Sequence, residues 1–220
     1  MRHERGAQGG RGVEAAGLSR EAVLDTALRI VEARGLAALT MRGLAAELGV
    51  AATAIYWHVG NRDALIAALT DRILGDFGDL APPSPDAREE PAERIVGIGR
   101  ALRQRIAARP HAIALLHEQG RTAVMMRPAQ RALAAEVAAA GLDGERAATV
   151  VRAVLHHVVG FVLLERAVER GPEPRPGPDE VWRDPDGVDP ALARELGRPH
   201  DPDALFEVSL SALVRGLLAS

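Results

Sequence analysis

Residues 40–62 have the sequence TMRGLAAELGVAATAIYWHVGNR, in which two short helical segments flank Gly49. The hydroxyl of Thr40 can cap the first segment by accepting from a free N–H of the first turn. Gly49 has no Cβ, so the chain can turn sharply there between two helices. Four apolar side chains can pack the corner: Leu44, Leu48, Val50 and Ile55. This pattern is typical of a helix-turn-helix, whose second helix, at about 51–56, is free to present residues 51–58 to a major groove.

Aromatic side chains are concentrated at the end of this stretch. The chain has one tyrosine, two tryptophans and three phenylalanines, and Tyr56-Trp57-His58 holds the tyrosine and one tryptophan. A hydroxyl and an imidazole can bind phosphate, and flat rings can lie against sugars or thymine methyl groups. The alternative is that the two rings pack the third helix against the fourth. Because consecutive helical residues point about 100° apart, we expect this of one of the two.

Helical spacing of apolar residues continues on both sides of this motif. Ser19 can cap a first helix that ends at Gly35, and Asn61 can cap a fourth helix. Ala51 offers no side-chain oxygen to cap the third helix, which costs about 0.5–2 kcal/mol relative to Ser or Asp. Since no stretch alternates for long enough to form a strand, the sequence predicts an all-α chain. Its N-terminal domain, at 18–80, is a three-helix helix-turn-helix unit with a fourth helix after it.

The bulk composition is that of a folded globular protein, with 47% hydrophobic and 26% charged residues. The chain has no cysteine, which excludes disulfides, thiolate nucleophiles and cysteine-bound metal and suits a reducing cytoplasm. The net charge of −3 gives no support to DNA binding, and residues 1–62 carry only eight arginines against six acidic residues. Residues 1–12 are rich in Arg and Gly without an apolar core, so we expect a disordered arm at 1–17 and neither a signal peptide nor an anchor.

The second part of the chain is also helical in pattern. Three prolines between residues 82 and 85 end the first module, after which helical spacing resumes. The pattern predicts a helix over 90–109, a short segment over 111–118 and a helix that begins after Pro128. With two later helices, these form the predicted C-terminal domain, 88–220, a helical bundle for ligand binding and dimerisation.

The most apolar helix is predicted over 144–168. A membrane span is the alternative, but Arg152, His156 and His157 interrupt the run, and its apolar core is shorter than the roughly 20 residues that a bilayer needs. A helix that is apolar on nearly all sides should be buried on nearly all sides. We therefore expect no membrane partner. Instead, a second subunit should cover the open side through an intermolecular four-helix bundle with the last helix, 202–218.

Residues 171–203 hold eight of the fourteen prolines, so we predict a loop over 171–201, either ordered or mobile. Trp182 lies in this loop, and its large apolar ring needs a place to bury, such as a pocket lid or the other subunit. Asp201 and Pro202 are suited to the N-cap and the first position of the last helix. The apolar residues of that helix are four, three and four residues apart, which favours packing against another helix: Phe206, Leu210, Leu213 and Leu217.

The N-terminal domain resembles the TetR family of transcriptional repressors. The resemblance covers about 19–75 and rests on these residues: Gly35, Leu39-Thr40, Leu44-Ala45, Leu48-Gly49-Val50, Ile55-Tyr56-Trp57-His58-Val59, Asn61 and Leu65. The Tyr-Trp-His-Val sequence is similar to that of the tetracycline-repressor branch. The resemblance implies a one-component cytoplasmic repressor that binds palindromic operator DNA as a homodimer and is released by a small-molecule effector.

The same resemblance implies a role for individual residues on DNA. Arg42 would reach a base, with guanine as the expected one. The groove floor would be faced by Ala52, Thr53 and Ala54, and phosphate or sugar would be held by Thr40, Tyr56, Trp57, His58 and Arg62. Because the alanines are small and apolar, direct readout should depend on Arg42 and Thr53.

The second half resembles the tetracycline-repressor ligand domain at 156–163, with the sequence HHVVGFVL. In that branch a histidine four residues before the glycine lines the drug and metal site, and His156 takes that position. The other metal-binding imidazole comes shortly before an Arg-Pro pair. Here the pair is Arg127-Pro128, and position 123 is an alanine. We therefore predict no magnesium–tetracycline site, no metal and no cofactor.

We predict an effector pocket that is mainly apolar, with one or two histidines that supply hydrogen bonds. The candidate residues are His111, His117, Met125, Met126, His156, Phe161 and Trp182. Each has a structural alternative. The two histidines before residue 120 can be surface or capping residues, the methionines can be ordinary core, and one of His156 and His157 can be a buried histidine with a satisfied hydrogen bond.

Two other functions are alternatives to a ligand-responsive regulator. A small all-helical enzyme would need chemistry that the sequence lacks, since it has no cysteine, no His-Glu-x-x-His, no Gly-x-Ser-x-Gly and no Gly-rich phosphate loop. An architectural DNA-binding protein that ignores ligands would not need so large a second domain. We therefore predict a regulator and not an enzyme.

Overall fold

The computed structural model describes residues 18–77, 89–170, 177–183 and 187–219. Within these ranges every regular element is a helix, apart from a 3-10 turn at Leu36–Ala38. The helices are α1 Arg20–Arg34, α2 Met41–Leu48, α3 Ala52–Val59, α4 Arg62–Asp76, α5 Pro91–Ala108, α6 Pro110–Glu118, α7 Thr122–Ala139, α8 Gly144–Arg170, α9 Pro178–Val181, α10 Pro190–Leu196 and α11 Pro202–Ala219. The all-α prediction is confirmed, whereas the predicted arm at 1–17 lies outside the described residues.

The N-terminal helices begin at the residues that the sequence indicates. The Ser19 and Thr40 hydroxyl oxygens each accept from the backbone N–H three residues later, both at 3.0 Å. The Asn61 side chain does the same for α4 at 2.8 Å. Ala51 precedes α3 without a side-chain cap. Gly49 ends α2 with a φ of 68°, in the left-handed region that glycine adopts without steric cost.

The core of the N-terminal domain lies between α1 and the three helices that follow it. The fully buried side chains include one or more from each helix: Val23, Val31, Leu44, Ile55, Leu65, Leu69 and Ile73. On α3, the buried residues are Ile55 and Val59. These are four residues apart, so α3 has one narrow face on the core and a broad face towards solvent.

Helix α5 is the centre of the C-terminal domain, where it packs against α7, α8 and α11. Helix α6 follows the C-terminal end of α5 and packs against α1 and α4 of the N-terminal domain. The buried residues of both domains form one hydrophobic cluster. The two domains are thus joined mainly at α6.

Two predictions based on prolines were wrong. Helix α7 begins at Thr122, and Pro128 lies inside it, not before it. The preceding turn is helical because it buries Met125 and Met126 in the core, a gain that outweighs one missing backbone hydrogen bond.

The predicted loop over 171–201 also contains helices. Pro178 and Pro190 stand at the first positions of α9 and α10. The Asp189 carboxylate caps α10 by accepting from the N–H groups of Ala191 and Leu192, both at 3.0 Å. Proline is favourable at a first helical position because the N–H that it lacks has no partner there.

Helix α8 is longer and less covered than the sequence argument assumed. Its segment Gly144–Ala167 has 24 residues with a mean hydropathy of 1.8 and is, by length and composition alone, long enough to cross a membrane. The argument that the apolar run is too short was therefore wrong. One side of α8 packs against α5, α7 and α11, but Leu163 and Leu164 face solvent. Within one chain the helix is not buried on nearly all sides.

Gly99 marks a close approach of α5 to α11 and supplies a test of this packing. A Cβ at Gly99 would lie 2.8 Å from Cδ2 of Leu210, which is fully buried. A Cβ at Gly97, on the same helix, meets nothing within 4 Å. We expect Gly99→Val to lower the free energy of unfolding in urea by about 1–3 kcal/mol through overpacking. The matched change Gly97→Val should leave it unchanged or slightly higher, and equal effects of the two changes would contradict the close approach.

Candidate functional site

The outward face of α3 carries the two aromatic rings that the sequence singles out. Tyr56 is 50% exposed and Trp57 is 90% exposed. The interpretation that one of them packs α3 against α4 is therefore wrong. Ile55 and Val59 supply that packing, and their spacing directs the two rings away from the core. An almost fully exposed tryptophan in a chain with so few aromatic residues indicates a surface that contacts another molecule.

Two arginines flank these rings and are available to bind an anion. Arg42 in the first turn of α2 and Arg62 at the start of α4 are exposed, and neither pairs with a carboxylate of a described residue. Thr53 is also exposed, whereas Ala52, Ala54 and His58 are half-buried. The exposed positions can contact a polyanion without loss of internal contacts.

The Thr40 hydroxyl caps α2 and lies beside Gly43, a neighbour that the sequence argument missed. Its Oγ1 accepts from the Gly43 N–H at 3.0 Å, so the hydroxyl hydrogen stays available to donate to an outside acceptor. A Cβ at Gly43 would lie 2.9 Å from that oxygen. Glycine at this position leaves room beside the hydroxyl, whereas the caps at Ser19 and Asn61 form with an alanine there.

The two domains are linked by polar contacts around the junction of α5 and α6. Arg109, at that junction, pairs with Asp76 of α4 at 2.8 Å and with Glu32 of α1 at 3.3 Å. The hydrogen bond to Asp76 raises the pKa of the Arg109 guanidinium. Beyond α6, Arg121 reaches Asp71 of α4 at 3.3 Å. Sequence reasoning missed these pairs because their partners lie far apart in the chain.

The first two effector candidates lie near this junction and not in the bundle. Nδ1 of His111 lies 2.8 Å from the backbone oxygen of Glu32, in the last turn of α1. His111 also lines a groove of about 480 Å³ between the domains. Nδ1 of His117 lies 3.3 Å from Oγ1 of Thr122, at the turn between α6 and α7. Both histidines thus bond to groups at helix ends.

The other candidates are spread over the C-terminal domain. Met125 and Met126 are buried in α7, and Phe161 is half-buried on α8. Trp182 follows α9 and lines a separate cavity of about 450 Å³ together with Arg183 and other residues of the α9–α10 segment. Neither this cavity nor the groove at His111 brings two of the seven candidates together.

The adjacent histidines of α8 point to opposite environments. His156 is exposed, on the same side as Leu163 one heptad later. His157 is partly buried, with Nε2 3.1 Å from Oγ of Ser209 on α11. Its ring lies 5.7 Å from that of Phe206 and 5.9 Å from that of Phe161. Burial lowers the pKa of His157.

Arg103 of α5 completes this cluster, and sequence reasoning missed it. Its guanidinium carbon lies 4.6 Å from the centre of the Phe206 ring. The same group pairs with Glu165 of α8 and, at 2.7 Å, with Asp203 of α11. Hydrogen bonding to Glu165 raises the pKa of Arg103. The cluster ties α5, α8 and α11 together, but among the described residues no three His, Asp or Glu side chains are grouped to hold a metal ion.

Comparison with known proteins gives matches over most of the chain. The model of "Bacterial regulatory proteins, tetR family" matches residues 23–69, and that of "Tetracyclin repressor-like, C-terminal domain" matches residues 84–220. The tetracycline repressor protein class C of Escherichia coli is 30% identical over 202 residues, which cover 91% of this chain and 90% of that protein. The HTH-type transcriptional repressor Rv1353c of Mycobacterium tuberculosis is 29% identical over 206 residues, 88% of this chain and 78% of that protein.

Solved structures agree with these matches. ActR from Streptomyces coelicolor, without ligand, has a TM-score of 0.64 and 26% identity, and the match covers 93% of this chain and 96% of that one. The complex of ActR with actinorhodin has a TM-score of 0.64 and 27% identity, over 93% of this chain and 98% of that one.

The lowered pKa of His157 predicts how stability depends on pH. The folded state holds the proton less well than the unfolded chain, in which the imidazole has its usual pKa of about 6.5. The contribution of His157 to the free energy of unfolding is therefore fully present above about pH 6.5. This contribution is lost as the pH falls from there through the lower pKa of the folded state. We expect urea unfolding at about pH 7.5 and pH 5.5 to show this loss.

Two neighbouring variants provide the comparison. His157→Gln should reduce the loss of stability at low pH, since its amide cannot take up the proton. His156→Gln removes an exposed imidazole and should keep the loss. If wild type and His157→Gln lost the same stability between the two pH values, the assignment of this loss to His157 would be contradicted.

Proposed function

Because the chain belongs to the TetR family of transcriptional regulators, we propose that its two halves divide the work of a repressor, with α1–α4 on DNA and α5–α11 on the effector and the partner subunit. The chain is a ligand-responsive transcriptional regulator. The division corresponds to domains at 18–80 and 88–220. The observation that carries the proposal is the outward face of α3, where Tyr56 and Trp57 are exposed, together with exposed Arg42 and Arg62 on the flanking helices, which pair with no carboxylate of a described residue.

On DNA, α3 enters the major groove and the residues around it bind the backbone. Arg42 binds a base, expected to be guanine, since an arginine can donate two hydrogen bonds to the O6 and N7 atoms of guanine. Ala52, Thr53 and Ala54 face the groove floor. The backbone is held by Thr40, Tyr56, Trp57, His58 and Arg62, through hydroxyl, imidazole, guanidinium and flat-ring contacts. The exposure of Trp57 supports a contact with sugar or a thymine methyl group.

The partner subunit is a second copy of the chain, bound through helices 144–168 and 202–218. Support comes from large apolar side chains that face solvent on α8 and α11, with Leu164 70% and Val208 69% exposed. An apolar surface on two adjacent helices of a water-soluble domain needs a cover, and two copies give a four-helix bundle. Two-fold symmetry then sets the two α3 helices about one DNA turn, roughly 34–36 Å, apart on a palindrome.

The effector is a small molecule bound in the C-terminal domain. Solved relatives include ActR bound to actinorhodin, and curated relatives include tetracycline repressors. For this chain we propose a mainly apolar pocket, to which the buried methionines of α7 would contribute surface. Among the described residues no metal-ligand cluster favours a metal-dependent drug.

The signal passes from the pocket to DNA through α6. Helix α6 is the helix of the C-terminal domain that packs against both α1 and α4. Arg109 at the end of α5 binds Asp76 near the end of α4, so a shift of the α5–α6 junction moves α4. The effector releases DNA only as far as it binds the released state more tightly than the DNA-bound state.

The family consists of transcriptional regulators and not of enzymes, and its members are soluble DNA-binding proteins. We propose the same for this chain, with no catalytic step and a place in the cytoplasm. The exposed side of α8 is then covered by the partner subunit and not by lipid.

Selection from random DNA duplexes tests the reading of sequence. We expect a palindrome with half-sites about 10 base pairs apart. Arg42→Ala should weaken binding by about 1–3 kcal/mol and remove the preference for guanine at one position of each half-site. Arg62→Ala should weaken binding to all sequences alike and reduce the salt dependence by about one counterion per subunit.

A matched control is Arg131→Ala, which removes an exposed arginine on α7, away from α3. This variant should bind as wild type does. If Arg42→Ala weakened binding equally for every sequence, Arg42 would be a backbone contact and the assigned readout would be wrong.

Leu164→Glu tests the interface between subunits. The side chain is mostly exposed in one subunit, so the fold should remain while a buried charge splits the dimer. We expect sedimentation to show a monomer and operator binding to fall sharply, because one half-site holds one subunit. Leu192→Glu makes the same change at an exposed leucine of α10 and should leave a dimer. A dimer in Leu164→Glu would place the interface elsewhere.

A further inference from the structure

A groove of about 480 Å³ lies where the two domains meet. Its walls come from the 35–37 segment after α1, from the start of α4 at Arg62, and from the side of α6 that carries His111, Ala114 and Glu118. The segment after α1 can line the groove closely because Gly35, with a φ of 78°, has no side chain. The size is within the usual range for pockets that bind small molecules.

The groove presents two opposite charges that have no partner among the described residues. Arg62 and Glu118 are both exposed on its rim, and neither makes an ion pair or a side-chain hydrogen bond with a described residue. Leu36 and Ala114 are half-buried and add apolar surface.

His111 adds a hydrogen-bonding group of fixed character. Its Nδ1 donates to the backbone oxygen of Glu32 at 2.8 Å, because a carbonyl oxygen can only accept. In the neutral imidazole this leaves Nε2 as an acceptor. The groove thus offers one cation, one carboxylate and one imidazole acceptor beside apolar walls.

We propose that this groove binds a small amphoteric molecule, with a carboxylate and an amine on an apolar body. Arg62 receives the carboxylate, for which its planar guanidinium has a matching pair of N–H donors. Glu118 accepts from the amine, and Leu36 covers the body. A ligand with a carboxylate but no amine would cover Glu118 without pairing it. A ligand with an amine but no carboxylate would cover Arg62 without pairing it. In each case the unpaired charge would cost free energy.

The site has a consequence for DNA, which rests on the proposed function. Arg62 is the residue assigned to the DNA backbone at the start of α4. A guanidinium held by the ligand carboxylate is no longer available to a phosphate. The ligand and the operator therefore oppose each other, and the coupling is reciprocal. The groove is separate from the effector pocket of the helical bundle, so it gives the regulator a second input.

Disulfide capture tests the groove without DNA. The chain has no cysteine, so Ala114→Cys places a single thiol on the groove wall. The probes are four disulfide fragments on one phenylethyl body, which carry both an amine and a carboxylate, the carboxylate alone, the amine alone, or neither. Under a limiting thiol reductant, intact-mass spectrometry measures the captured fraction. We expect the amphoteric fragment to be captured about tenfold over each fragment that carries a single charge, the gain from one further charge-assisted contact.

Control variants assign this preference to the residues. Ala138→Cys, at an exposed position near the end of α7, should capture all four fragments alike. In the Ala114→Cys background, Arg62→Gln should remove the advantage of the carboxylate, and Glu118→Gln that of the amine. Equal capture of the four fragments, or a preference that survives both substitutions, would overturn the proposal.

The effect on DNA is measured separately. The Ala114→Cys protein that carries the amphoteric fragment should bind its operator duplex about tenfold more weakly than the same protein without it, through loss of a charged phosphate contact. Unchanged affinity would show that the groove ligand does not compete for Arg62. If the unlabelled protein bound no duplex, the proposed function would fail while the capture result stood. If the four fragments were captured alike while the protein still bound its operator, the groove proposal would be rejected and the proposed function would stand.

Discussion

Two ion pairs of Arg109 set how the N-terminal helices lie against the C-terminal domain, beside the apolar packing of α6. One guanidinium at the junction of α5 and α6 reaches Glu32 of α1 and Asp76 of α4. All three side chains are partly exposed, and pairs of this kind contribute only about 0–1 kcal/mol each. These ion pairs therefore favour one relative position of the two domains, and breaking them costs little free energy. A regulator needs this balance, because an effector can shift two states only by its differential affinity for them.

The outward exposure of most of α3 follows from the short length of this helix. With eight residues, it has room for one pair of core contacts, Ile55 and Val59. Thr53, Tyr56 and Trp57 are left outside the core, which is why two large rings can stand in solvent. Stability must come from the neighbours, in particular from the cap that Thr40 forms on α2 and from the tight turn at Gly49. The neighbouring helices thus hold the backbone of α3, while its outward side chains make few contacts within the chain.

The sequence predicted those features that depend on near neighbours. A cap such as Thr40 needs only the next turn, so the starts of the N-terminal helices could be found from residue type and spacing. Pro128 could not be interpreted in this way, because a proline suits a first helical position and is also tolerated inside a helix whose buried side chains compensate. The burial of Met126, which decides the matter, depends on other helices. In the same way Arg109 finds Asp76 33 residues earlier in the chain, and no local pattern encodes that pairing.

The two histidines of α8 show how one helix divides between two surroundings. His157 faces the phenylalanines and Ser209, and desolvation there favours the neutral ring. His156, one residue earlier, is turned by about 100° and is exposed. The resemblance that assigns His156 to an effector pocket can hold only if that pocket is closed from the exposed side of α8. In a symmetric dimer the element on that side is the partner subunit, so binding of an effector at His156 and pairing of the subunits would be one coupled equilibrium.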